Sequence, residues 1–173
     1  PGDIIACGEF VYPGLKSAAE QLELVLQPLA MDEEGVLPAS FEQACREHRI
    51  KAIYLVPTMD NPTTATMSLT RRQQIVAVAN EYDITIIEDD PYSPLQTEAV
   101  KAIVDLAADR TWYVRTLSKC ITPALRLAYV IAPSNSHALG LANVLRAISV
   151  MAVSYTHLRA HETDSYLVCR LLL

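Results

Sequence analysis

Two short, nearly uninterrupted apolar runs, Ala52–Val56 and Ile84–Ile87, bracket a segment whose apolar residues fall at helical spacing. A run this short and this apolar buries both of its faces, which is the behaviour of a strand inside a parallel sheet covered by helices on each side. Between the two runs, Ser68 stands where a helix N-cap is needed, and Ile75, Val76 and Val78 follow it toward Tyr82. Strand, helix, strand is the unit that builds α/β domains, and it constrains the chain more than any other feature.

The rest of the chain repeats that alternation. Ile4–Cys7 reads as a strand, followed by a loop with Tyr12-Pro13-Gly14. Leu15–Leu22 has helical spacing with Lys16 and Glu20 at i,i+4. Leu24–Leu29 is a second strand, and Asp32-Glu33-Glu34-Gly35 is a turn. Pro38 opens a helix that runs to about Arg49. Residues 93–111 read as loop with one short helix. Trp112–Val114 and Leu127–Ala132 are strands, and a helix follows Asn135 to about Ala152. The expected fold is α/β: three layers, with a mostly parallel sheet carrying helices on both faces.

At 173 residues with 51% hydrophobic content, one domain with a sizeable core is expected. A net charge of −6 disfavours a nucleic-acid-binding surface. Cys7, Cys45, Cys120 and Cys169 form no Cys-x-x-Cys pair, which argues against a zinc site or a disulfide scaffold. That usage suits a reducing compartment, and a cytoplasmic protein is expected. No apolar run reaches the ~18 residues of a membrane span. The chain starts at Pro1-Gly2-Asp3 without Met, and we read it as beginning mid-protein. Residues 154–173 show no clean period and resemble a translated adapter sequence, so they are read as a non-native tail behind a domain of residues 1–153. His157 and His161 sit at i,i+4 within that tail, but no glutamate occupies the metalloprotease position and no metal site is expected.

In sheets of this kind, ligands gather at the carboxyl ends of the strands. Asn61, Asp89, Tyr92 and Lys119 each follow such an end. Lys119 lies in Thr116-Leu117-Ser118-Lys119-Cys120, and Arg126 comes seven residues after it. Together these residues offer an amine able to attack an aldehyde, an acid to pair with a ring nitrogen, and hydroxyls with a fork-shaped cation for a phosphate. Taken singly, each has a plainer reading. Lys119 could be a solvated loop lysine, Asp89 a helix cap, Asn61 a turn former before Pro62, Arg126 a surface arginine and Tyr12 a packing residue. Arg71-Arg72 reads as a solvated helix face, Asp90 as a solvated or capping neighbour, and Cys120 as packing.

The order Asn61-Pro62-Thr63, Asp89-x-x-Tyr92, Thr116-x-Ser118-Lys119 and Arg126 resembles the class I/II aminotransferases of fold type I, which use pyridoxal 5′-phosphate (PLP). Tyr12-Pro13-Gly14, Asp60-Asn61-Pro62-Thr63-Thr64, Arg71-Arg72, Glu88-Asp89-Asp90 and Leu117-Ser118-Lys119-Cys120 are most similar to the aminotransferase-like domain of MocR-type (GntR family) regulators. The resemblance covers about residues 1–150.

That resemblance implies a partial large domain of the PLP-dependent transferase fold. It implies that Lys119 carries PLP as a Schiff base, Asp89 pairs with the pyridine nitrogen, and Asn61 and Tyr92 bond the phenolic oxygen. Thr116, Ser118 and Arg126 would hold phosphate, and the Tyr12 ring would stack on the cofactor. The implied activity is transfer of an amino group between an amino acid and a 2-oxo acid, in a homodimer when full-length. The alternative it implies is a PLP-binding effector domain of a MocR-type regulator without turnover, with DNA bound only by an upstream winged helix. Two family glycines are replaced, one by Thr64 and one by Ala124. The family's glycine-containing phosphate loop and its small domain would lie outside this chain.

Overall fold

The computed structural model describes residues 1–122, 127–148 and 169–171. Its main sheet has seven strands, built from β1 (Ile4–Gly8), β2 (Val25–Leu29), β5 (Ile50–Leu55), β6 (Thr85–Asp89), β7 (Thr111–Thr116), β8 (Ala128–Ile131) and β9 (Cys169–Leu171). The spatial order is β2-β1-β5-β6-β7-β8-β9. The first five of these positions pair in parallel, and β8 and β9 each pair antiparallel to the strand before them. The expected mostly parallel α/β sheet is therefore present, with an antiparallel edge.

The helices are α1 (Pro13–Gln21), α2 (Pro38–Glu47), α3 (Leu69–Glu81) and α4 (Asn135–Ile148). Local chemistry sets their ends. Pro13 and Pro38 sit in the first turns of α1 and α2, where a missing N–H costs nothing. The Ser68 hydroxyl accepts from the Arg71 N–H at 3.2 Å, a cap of the kind whose removal costs about 1 kcal/mol. α1 and α3 stop alike: Glu23 and Asp83 take φ of +54°, and the next N–H returns to a carbonyl one turn back, Leu24 to Ala19 and Ile84 to Ala79, at 2.8 Å.

Alternation along the strands splits the core between two faces. Ile4 and Ala6, Ile53 and Leu55, and Ile86 point to one face and pack with Phe41 and Ala44 of α2 and with Ile75, Val76 and Ala79 of α3. Ile5 and Cys7, Tyr54 and Val56, and Ile87 point to the other, where they meet Leu15 of α1. Further along that second face, Trp112, Val114 and Val130 pack with Ala138 and Leu141 of α4. The three layers follow from this period of two. Burying a side chain such as Ile53 or Ile86, both 0% exposed, contributes roughly 1.5–3 kcal/mol.

Several boundaries differ from the sequence-based expectation. The turn at 32–35 is the tip of a small hairpin, β3 (Met31–Asp32) against β4 (Gly35–Val36), in which Gly35 takes φ of +94°. β6 extends through Glu88 and Asp89, because both pair in register with their neighbours (Glu88 with Leu55 and Tyr113, Asp89 with Val114). The short helix expected in 93–111 is a single 3₁₀ turn, Ser93–Leu95. The continuation of α4 toward Ala152, and His157 and His161, lie outside the described residues. Among the described residues, no helix is long and apolar enough to cross a membrane.

Candidate functional site

A cavity of about 310 Å³ opens at the carboxyl ends of the parallel strands, within the size range of small-molecule sites. Its lining comes from four successive strand ends. Tyr12 lies between β1 and α1, Asn61 follows β5, and Asp89 ends β6 with Tyr92 three residues on. Thr116 ends β7, and Ser118 and Lys119 follow in the turn that leads toward β8. Seven of the eight residues singled out in the sequence therefore share one cavity. The eighth, Arg126, lies outside the described residues.

Local hydrogen bonds close the loops that carry several of these side chains. The Asn61 loop is closed by Asp60 N–H on the Ala65 carbonyl at 2.8 Å, Thr64 N–H on the Asp60 carbonyl at 2.6 Å, and the Thr63 hydroxyl on the Asp60 carboxylate at 2.7 Å. Thr64, at the family's glycine position, takes φ of +61°. In the lysine turn, Ser118 N–H donates to the Thr116 hydroxyl at 3.1 Å and Ile121 N–H to the Leu117 carbonyl at 3.0 Å. Lys119 itself is exposed at the mouth. The Tyr12 ring lies across Gly14, where a Cβ would sit 2.1 Å from Tyr12 Cε1, so Tyr12-Pro13-Gly14 works as a unit that seats the ring.

Asp89 has a partner that sequence reasoning missed. The Tyr54 hydroxyl donates to Asp89 Oδ2 at 2.6 Å, and Tyr54 also lines the cavity. Burial pushes the Asp89 carboxyl up; the Tyr54 hydrogen bond pulls it back, and the neighbouring Asp90 charge adds to the rise. Burial, and then the Asp89 charge, hold the Tyr54 phenol far above its ordinary value, so it remains a donor. The available signal was a tyrosine inside an apolar strand. Its partner could be named only from the register, in which Tyr54 pairs with Ile87 and so lies diagonal to Asp89.

Arg71 and Arg72 correct the expectation of a solvated helix face. Arg71 bonds Asp32 through both terminal nitrogens, at 3.0 and 2.7 Å, fastening α3 to the small hairpin. Arg72 is 1% exposed. It donates to the carbonyls of Met67, Lys101 and Pro57 and to the Thr58 hydroxyl, at 2.9–3.2 Å. It thereby grips both ends of the loop that carries Asn61. Helical spacing places Arg72 with Ile75, Val76 and Ala79 on the buried face of α3, and that signal was in the sequence. Glu88, also 1% exposed, accepts from the N–H groups of Ile103 and Val104 at 2.9 and 2.8 Å. Asp90 is buried rather than solvated and does cap, accepting from Ser93 N–H at 3.0 Å. Cys120 Sγ lies 3.7 Å from the Thr116 carbonyl, packed within the turn.

The residues of this cavity include those that the family resemblance assigns to pyridoxal phosphate. An amine, a carboxylate, hydroxyls and an aromatic face converge on the cavity, and Tyr54 is the one donor to the Asp89 carboxylate among the described residues.

Known proteins similar to this chain include regulators and aminotransferases. The chain is 36% identical over 133 residues to the HTH-type transcriptional regulator YdeF of Bacillus subtilis, covering 77% of this chain and 29% of the regulator. It is 32% identical over 161 residues to the aromatic amino acid aminotransferase C569.07 of Schizosaccharomyces pombe, covering 77% and 34%. Among solved structures it matches a kynurenine aminotransferase of Pyrococcus horikoshii, in complex with PMP, with a TM-score of 0.74 and 30% identity over 79% of this chain and 36% of that one. The chain spans about a third of the length of the curated relatives it matches. The family model described as aminotransferase class I and II matches residues 1–162, nearly the whole chain, and the chain belongs to that family.

Proposed function

We propose that this chain forms the PLP-binding part of an aminotransferase that passes an amino group between an amino acid and a 2-oxo acid. The observation that carries the reading is the single cavity at four parallel strand ends that gathers Lys119, Asp89, Asn61, Tyr92, Thr116, Ser118 and Tyr12. When bound, PLP supplies the carbonyl that takes up amines and a ring that draws electrons from the bond being broken.

The residues divide the remaining work. Asp89, held by Tyr54, would pair with the ring nitrogen and keep it protonated. Asn61 and Tyr92 would donate to the phenolic oxygen, and the Tyr12 ring would cover one face. Thr116 accepts from Ser118 N–H and keeps its own hydroxyl proton to donate to phosphate, with the Ser118 hydroxyl beside it. Arg126 is assigned the balancing charge from its position in the sequence. Lys119 Nζ is the amine that would hold the cofactor, and it would serve as the general acid/base for the α-carbon proton. A homodimer and a native boundary near residue 153 belong to the same proposal.

A second reading is favoured by the regulators among the relatives, YdeF and the 30% identical YdcR of Escherichia coli. In it the same site binds PLP as a signal, without turnover.

Borohydride reduction of the PLP-treated native protein, followed by peptide mapping, tests the site. The expected adduct is on Lys119, and an adduct on Lys16, Lys51 or Lys101 instead refutes the assignment. Mixing the PLP-bound protein with amino acids separates the two readings. Release of a 2-oxo acid supports the enzyme, whereas PLP binding without that release supports the regulator.

A further inference from the structure

We propose that Tyr54 is a positioning residue for Asp89: its hydroxyl fixes one carboxylate oxygen and leaves the other for the protonated ring nitrogen of the cofactor. The inference rests on the reading of Asp89 as the partner of that nitrogen.

The geometry comes from two neighbouring strands. Tyr54 on β5 is level with Ile87 on β6, so Asp89 lies one step further along the same face. That diagonal is within the reach of a long aromatic side chain. The Tyr54 ring is packed in a cluster with Val56, Cys7 and Ile87 and is 9% exposed, so the hydroxyl has little freedom to swing toward solvent. The 2.6 Å contact is the length of a charge-assisted O–H···O⁻ bond.

Asp89 needs such support. It is half-buried and has a second carboxylate, Asp90, next to it in the chain. Both effects favour the protonated acid, which has no charge to hold a pyridinium. The other titratable groups facing the same cavity are Tyr12, Tyr92 and Lys119, and Asp60 acts on Tyr54 from the loop after β5. Among the described residues, Tyr54 and none of these donates to the Asp89 carboxylate.

Tyr54→Phe removes one oxygen and keeps the packing. Tyr113→Phe is the matched control, because Tyr113 donates to Asp90 on the opposite face, also at 2.6 Å. Carboxyl-labelled aspartate followed by NMR in the cofactor-free native protein reads the Asp89 titration directly. Tyr54→Phe is expected to raise its midpoint by about one to two pH units, the equivalent of one hydrogen bond to a charged group. Tyr113→Phe should move it far less. In the PLP-loaded protein, Tyr54→Phe should weaken PLP binding about ten-fold, and should add nothing in an Asp89→Asn background.

An unmoved Asp89 midpoint overturns the proposal even if wild type binds PLP normally. A moved midpoint with unchanged PLP affinity overturns the link to the cofactor. Failure of wild type to bind PLP at all refutes the parent reading, and this inference with it; that outcome is recognised before any variant is made.

Discussion

Asp89 and Asp90 are neighbours in the chain but are held by different tyrosines on opposite faces of the sheet, Asp89 by Tyr54 and Asp90 by Tyr113, each across 2.6 Å. Asp89 shares its face with the cavity, and Asp90 shares its face with Glu88 and Arg72. One residue of register thus separates an acid available to a ligand from an acid committed to the fold.

Asp89→Asn should leave the fold intact and lower transamination about a hundred-fold or more, the scale of losing one preorganised charge. Asp90→Asn should do the reverse: it weakens the bonds to Tyr113 and Ser93 and lowers stability by about 1–3 kcal/mol, with turnover per folded molecule little changed. Urea denaturation beside a turnover assay on each variant checks the pair. Equal loss of activity in both would show that the two acids are not divided in this way.

Arg72→Met should be among the most damaging single changes. It leaves the Pro57, Met67 and Lys101 carbonyls without this donor and strips the positive charge from beside buried Glu88. The expected cost is about 3–5 kcal/mol, typical of breaking a buried charge network. A shift in urea midpoint no larger than that of an exposed substitution such as Arg46→Met would contradict it.

Thr64→Gly should stabilise the protein by about 0.5–1 kcal/mol. A β-branched residue at φ of +61° sits where glycine is at ease, and that gain exceeds glycine's extra freedom in the unfolded chain. The check is the thermal midpoint of the variant, and a decrease would mean that the threonine side chain makes a compensating contact.

Glu88 makes stability depend on pH. Burial pushes its carboxyl above the ordinary glutamate value, against the pull of the Ile103 and Val104 N–H groups and the Arg72 charge. A carboxyl raised in the folded state binds more protons there than in the unfolded chain. Its contribution is therefore fully present below the unfolded value and is lost as pH rises through the folded one. In Glu88→Gln that loss is absent, so the stability gap between wild type and variant should change steadily as pH rises from about 4 upward, where an ordinary glutamate begins to ionise. Parallel curves across that window would rule out Glu88 as the titrating group.

Much of the fold was legible locally. The runs at 52–56 and 84–87 could satisfy their burial only inside a covered parallel sheet, and Ser68, Pro13 and Pro38 marked helix starts by chemistry that needs no tertiary partner. The motif order also brought out seven residues that line the cavity, because a strand's carboxyl end is a position along the chain. Less legible were the ends of β6 and the small hairpin at 31–36, where cross-strand pairing rather than composition decides.

The amino-acid sequence by itself determined the alternation of strands and helices, the helix caps, and which side chains stand at the strand ends. Period and capping are properties of neighbouring residues, so these needed nothing else. Only the tertiary structure decided that Tyr54 serves Asp89, that Tyr113 serves Asp90, and that Arg72, on the face its helical spacing marked as buried, clamps the Asn61 loop. The two tyrosine–aspartate pairs are 35 and 23 residues apart in sequence and meet because the register of β5, β6 and β7 aligns them, while Arg72 reaches the Pro57 carbonyl and Thr58 hydroxyl from α3, in a core where most buried polar groups find a partner.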